Sequence, residues 1–287
     1  MTLESLIEAA WNDHAEDPEG VATRLAAAVP RASSSEDVAA LARIIAHVFG
    51  EHLGRWDDGV ALLRTLPSVE SGDTTDAARA VTRAVAMLRW AGGDRTVLEP
   101  LSREDRTAVL ASAASALVAR QAFKRALGAY AEALETGARA AEADTSVARA
   151  LAVGGNNLAA ALEEKPDRDE DETYGMVMAA EGGLRFWKLA GGWLEEERAH
   201  YRLARALLAA RRPSEALHHA KLCAEVCANN HAPAFEQFFA HAVSSLAQRA
   251  AGNDDAAREA RRAALEAYDG IAADERAWCQ SDLRELG

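Results

Sequence analysis

Tyr201-Arg-Leu-Ala204-Arg-Ala-Leu-Leu-Ala-Ala-Arg-Arg-Pro213-Ser-Glu-Ala216-Leu217 is the stretch that decides the fold. An Ala-rich amphipathic segment runs into a short turn, and a second helical segment follows with alanine again on its apolar face. Asn253-Asp254-Asp255-Ala256-Ala257 through Ala264-Leu265 repeats the arrangement. Small residues at such positions let helix axes approach to about 8–10 Å, and a leucine there would force them apart. One helix pair cannot bury its own apolar face, so pairs of this kind stack on their neighbours.

Composition agrees with that reading. The chain has 287 residues, 49% of them hydrophobic but only 6% aromatic, and alanine dominates, which suits long packed helices rather than sheets. About fifteen helices are expected, joined by short links, with no segment alternating as a strand does. Ser34 with Asp37, and Ser102 with Asp105, read as helix starts, and Asp17-Pro18 supplies a cap followed by a first-turn proline. Thr74 or Thr75 is expected to cap the helix that runs to Trp90. Asp274–Leu286 reads as a closing helix.

At this point the residues resemble the tetratricopeptide repeat family. Gly54-Arg-Trp56-Asp-Asp-Gly59 with Leu63 and Leu66, Phe123/Ala126/Tyr130 with Ala133-Leu134, and Leu203-Ala204-Leu207 with Ala216 are similar to parts of its pattern. Asn157-Leu158-Ala159 is similar to the longer-helix, kinesin-light-chain variety, and the 41 residues between Ala216 and Ala257 fit that variety better than the usual 34. Pro213 departs from the pattern, standing where an aromatic is expected. The resemblance implies an all-α, right-handed superhelical solenoid of antiparallel helix pairs, with functional residues on the first helix of each pair, facing a concave groove. It divides the chain into a divergent helical-repeat region over residues 1–100 and a better-matched region over 101–287 that ends in a capping helix.

The groove candidates follow from spacing. Arg198, Arg202 and Arg205 stand at i, i+4 and i+7 and share one helix face with Tyr201. Arg202 and Arg205 have no acidic neighbour three or four residues away on their own helix, so the stripe calls for an anion from elsewhere. Asn156 and Asn157 occupy equivalent positions on the preceding first helix. The expectation is an anionic or C-terminal peptide held by Asn156, Asn157, Arg198, Tyr201, Arg202 and Arg205. The competing expectation is that Glu163, Glu164, Glu181 or an acid of the Lys165–Glu172 segment neutralises the arginines. That segment reads as a solvated, mobile insertion able to mask the stripe. It is a poor calcium loop, with Glu172 where glycine is needed and Met178 where a bidentate glutamate belongs.

His219, Cys223 and Cys227 invite a zinc reading, but residues eight apart on a helix lie about 12 Å apart, too far to share an ion. The two cysteines read instead as small buried positions. The six tryptophans read as inter-repeat core, and Gly154-Gly155 and Gly182-Gly183 as close packing points. No nucleophile–base set or cofactor motif is identifiable, so no metal, cofactor or catalysis is expected. The alternatives are a metal- or small-molecule-dependent enzyme using His218, His219 and Cys223 in the same groove, or a structural self-associating subunit.

A net charge of −13 opposes nucleic-acid binding. No apolar run reaches membrane-spanning length, and no leader is read at the start. Three cysteines argue against a disulfide framework. The expected setting is cytoplasmic, with a protein or peptide partner, for a monomer or weak homodimer.

Overall fold

Helix starts fall where a side-chain oxygen can accept from the first turn. Asp17 accepts from the Gly20 amide at 2.9 Å, Ser34 and Asp37 form a reciprocal capping box, and Ser102 accepts from Asp105 at 3.1 Å. The structure is a computed structural model that describes residues 2–67 and 74–287. Thr74 opens a helix, but the expected cap at Thr74 or Thr75 lies outside the described side chains. The described residues form fourteen α-helices and no strand, so the chain is all-α. No helix is long and apolar enough to cross a membrane among the described residues.

The chain forms two compact units, Met1–Ala140 and Ala141–Gly287. The boundary expected near residue 100 therefore falls inside the first unit. That unit contains α1 (Leu3–Asp13), α2 (Pro18–Ala28), α3 (Ser35–His47), α4 (Trp56–Leu63), α5 (Thr74–Gly92), α6 (Arg103–Ala119) and α7 (Phe123–Gly137). A π-helical turn, Val48–Leu53, continues α3, and Gly54 ends it with a left-handed φ of 65°. Leu41, Ile44, Ile45, Leu88, Trp90, Leu110 and Tyr130 are fully buried here.

The second unit contains α8 (Thr145–Glu164), α9 (Glu170–Ala190), α10 (Trp193–Ala209), α11 (Pro213–Asn229), α12 (Ala234–Ala250), α13 (Asp254–Asp269) and α14 (Gln280–Leu286). It is built from hairpins α8–α9, α10–α11 and α12–α13, whose first helices lie side by side as α8, α10 and α12. Ala204 and Ala216 are fully buried and Ala257 nearly so. A Cβ on Gly183 would sit 3.2 Å from the Asn156 backbone nitrogen, so α8 and α9 are in backbone contact there, as the Gly-Gly pairs imply.

One turn geometry recurs. In the α6–α7, α10–α11 and α12–α13 links, a single residue takes positive φ: Gln121 at 58°, Arg211 at 58°, Gly252 at 79°. The residue after each donates back to the preceding helix: Ala122 to Leu117, Arg212 to Leu207, Asn253 to Gln248, each at 2.9 Å. This is the closure that lets an antiparallel neighbour follow directly. Arg211 and Gly252 are 41 positions apart, the interval already visible in Ala216 and Ala257.

Two expectations fail. The acidic segment is no mobile insertion: Asp169 and Glu172 close a capping box that starts α9, and Glu172 is buried with Lys165 at 2.6 Å. The Lys165 hydrogen bond, opposed by burial, holds the Glu172 carboxyl below its ordinary range. The tryptophans also divide. Trp90 is core, but Trp11, Trp193 and Trp278 are exposed.

Candidate functional site

The α10 stripe faces the space between α8, α12 and the terminal helix α14. Gly192 at its start donates to the Glu195 carboxylate at 2.8 Å, which fixes the helix entry and with it the direction of the arginines. Each guanidinium meets a carboxylate. Arg198 pairs in bidentate fashion with Glu236 of α12, itself almost fully buried. Arg202 reaches Glu163 of α8 at 2.6 Å. Arg205 donates to the other Glu163 oxygen at 2.6 Å and forks onto Glu285 at 2.8 and 3.0 Å, with Asp282 at 3.5 Å. The Tyr201 hydroxyl donates to Asp282 at 2.6 Å.

The stripe is therefore not the unmatched positive surface that spacing alone implied. Glu163 was among the acids expected to neutralise the arginines; Glu236, Asp282 and Glu285 were not, and they come from α12 and α14. Acidic side chains of the chain's own last helix occupy the place expected for a partner's acids.

Electrostatics follow from burial. Arg205 is 14% exposed; burial works against its charge, but Tyr201, Glu163, Glu285 and Asp282 together push its pKa above the ordinary value. Burial raises Asp282, and the Tyr201 hydroxyl and Arg205 restrain that rise. Glu197 lies deeper, 1% exposed. Burial raises its pKa to about 7, the Cys223 thiol donating to it at 2.9 Å works against that rise, and the Glu236 carboxylate adds to it. It therefore changes charge near neutrality.

A cleft of about 520 Å³ remains open beside this network, with Asn156, Arg198, Arg202, Phe235, Phe239 and Trp278 among its walls. Asn157 is exposed and is not among the lining residues, so the structure separates it from Asn156, its neighbour in the expected site. Five carboxylates (Glu163, Glu164, Glu197, Glu236, Asp282) and three arginines line the cleft. Trp278, 76% exposed, stands at this wall as a large free aromatic surface.

The histidine–cysteine set of α11 meets α10 along one face. His219 meets His200 of α10, Nδ1 to Nδ1 at 3.0 Å. Burial drives the His200 pKa down to about 3, and it stays neutral. Cys223, one turn further along the same face, donates to Glu197, and burial pushes its thiol far up; Cys227 is pushed up to about 12. Thiols held protonated in this way are inert as nucleophiles.

No family model and no curated protein sequence matches the chain. Among solved structures it is similar to the crystal structure of BtubC (BKLC) from P. vanneervenii, with 15% identity, 95% of this chain and 94% of that chain covered, and a TM-score of 0.51. At that identity the resemblance carries the helical fold and nothing of activity.

Proposed function

We propose that the chain is a non-catalytic interaction scaffold of tetratricopeptide-like hairpins, winding as a right-handed solenoid, that holds a peptide segment of a partner protein. The α8–α10–α12 wall supplies the surface, and the cleft bounded by Trp278 and Arg198 is where the segment lies. The observation that carries this reading is the exposed Trp278 indole, beside half-buried Phe235 and Phe239, above a floor of charged groups already fixed by one another. Rigid aromatic anchors over an ordered polar floor are how interfaces gain affinity without a large ordering cost. Three buried free cysteines fit a cytoplasmic setting.

The partner's charge is redrawn by the geometry. With carboxylates outnumbering arginines in the lining and the arginines matched, an acidic segment gains nothing on entry. The suited occupant presents apolar side chains to Trp278 and Phe235 and a basic one to the acidic rim. Phage-displayed random peptides panned on the full chain test this directly. Enriched sequences are expected to combine aromatic or aliphatic residues with Lys or Arg, and Trp278→Ala is expected to abolish their capture. Enrichment of acidic sequences, lost on Arg202→Glu, would restore the anionic partner; enrichment indifferent to Trp278→Ala and Arg198→Ala would remove the cleft from the proposal.

A further inference from the structure

Three of the eight histidines converge at one place in the first unit, far apart in sequence from the groove residues. His14 follows the last turn of α1, His47 ends α3, and His52 lies in the π-turn Val48–Leu53. One ring nitrogen from each lies within 4.8 Å of the other two. The three rings sit 4.8 to 5.0 Å apart, centre to centre.

We propose that His14, His47 and His52 form a binding site for a divalent transition-metal ion of the zinc class, with its remaining coordination position open to solvent. The geometry of the pair within α3 and the π-turn is the first support. His47 Nε2 and His52 Nε2 face each other at 3.2 Å. Two imidazole nitrogens each about 2.0–2.1 Å from one tetrahedral ion are about 3.3 Å apart, so the pair already stands at ligand spacing. His14 needs a ring movement of at most about 1.5 Å to join them.

The outer contacts are the second support. His47 Nδ1 lies 3.0 Å from the Glu51 carboxylate, and His14 Nδ1 lies 2.6 Å from the Trp11 carbonyl. Each contact engages Nδ1 as donor and leaves Nε2 with its lone pair toward the cluster. Ligating histidines are ordinarily anchored in this way, through the ring nitrogen that does not touch the metal.

The third support is the backbone. On an α-helix, residues five apart point about 140° away from each other. The i→i+5 winding of the π-turn removes most of that angle and brings His52 back over His47. Such turns are costly and gather at functional positions. Arg120 of the same unit donates to the His52 carbonyl at 3.2 Å, tying the turn down. The cluster is half-buried and accessible to an ion.

The test uses the full chain without an affinity tag, stripped with chelator and titrated with Zn²⁺ by calorimetry, with bound metal counted by mass spectrometry. One zinc per chain is expected at micromolar affinity or better. His52→Ala and His14→Ala are each expected to weaken binding by at least about 100-fold, Glu51→Gln by about 10-fold, and His219→Ala not at all. A readout without loss of a ligand comes from Trp11, whose ring is 5.0 Å from His47. Co²⁺ is expected to quench its fluorescence and give the intense visible bands of a tetrahedral ion, the quench disappearing in Trp11→Phe while the bands remain. Zinc uptake well below one per chain overturns the proposal, as does uptake unchanged in both His14→Ala and His52→Ala.

Discussion

Arg205→Met is the sharpest probe of whether the α10 stripe is structural. The substitution keeps the aliphatic stem but removes the charge that meets Glu163, Asp282 and Glu285. Glu285 is 41% exposed and solvent compensates it; Glu163, 11% exposed, keeps its pair with Arg202, whereas Asp282, 7% exposed, keeps the Tyr201 hydroxyl but loses its cation. Leaving buried charge unpaired costs about 3–5 kcal/mol. At about 2–4 °C per kcal/mol for a body of this size, the melting temperature should fall by about 10 °C. The loss has a predicted sign in pH. The folded pKa of Asp282 already stands above 3.8 through burial, with Tyr201 and Arg205 limiting the rise. A raised folded pKa means a contribution that is favourable below the unfolded value and lost as pH climbs through the folded one. Removing Arg205 raises it further, so the variant's deficit should be smallest near pH 4 and widen toward pH 7. Calorimetric melts across that range measure it. A deficit under about 1 kcal/mol, or one that does not change with pH, would refute the claim that this guanidinium is committed inside the molecule.

Two further predictions concern buried charge and the repeated turn. Glu197, raised from 4.5 to about 7 first by burial, loses its contribution as pH rises through 7; Glu197→Gln should therefore gain about 2–3 kcal/mol at pH 9 and little at pH 5. Urea unfolding at the two pH values checks it, and a glutamine variant no more stable at pH 9 would count against it. In the hairpin links, Gly252→Ala should cost about 1 kcal/mol purely through its positive φ, since nothing lies within 4 Å of the added Cβ. Arg211→Gly should move stability the opposite way, by a fraction of that; thermal melts of the pair decide whether the shared turn is under backbone strain.

What could be read from residues alone was the local part. Ser34 with Asp37, and Ser102 with Asp105, start helices because a cap and its acceptor lie three residues apart, within reach of any window. Ala204, Ala216 and Ala257 are buried because the helix period places them there. Lys165–Glu172 misled because charge density resembles a solvated loop, yet Asp169 and Glu172 spend their charge on the α9 amides and on Lys165. The π-turn had no signal beyond His47 and His52 themselves, since a five-residue interval means nothing on an ordinary helix. The first compact unit runs past residue 100 because α6 packs with α5 as well as with α7.

The groove shows why a stripe of like charge is ambiguous in a single sequence. Three arginines on one helix face need counter-charge, and that requirement is the same whether a partner or the chain itself meets it. The neighbours that decide it come from α8, α12 and α14, brought in by stacking rather than by spacing. Once they arrive, the arginines act as struts: Arg205 ties α8 to the terminal helix, and Arg249 and Arg261 fasten the same helix through the Glu285 and Leu286 carbonyls at 3.0 Å. Leu286 and Cys279 are buried beneath it against Phe238, so lifting that helix would expose core as well as charge. An acidic partner competing for Arg205 would have to repay both losses. A segment that instead lies along Trp278 and Phe235 leaves every strut in place, which is why the open cleft, and not the charged stripe, is the surface on which binding is proposed.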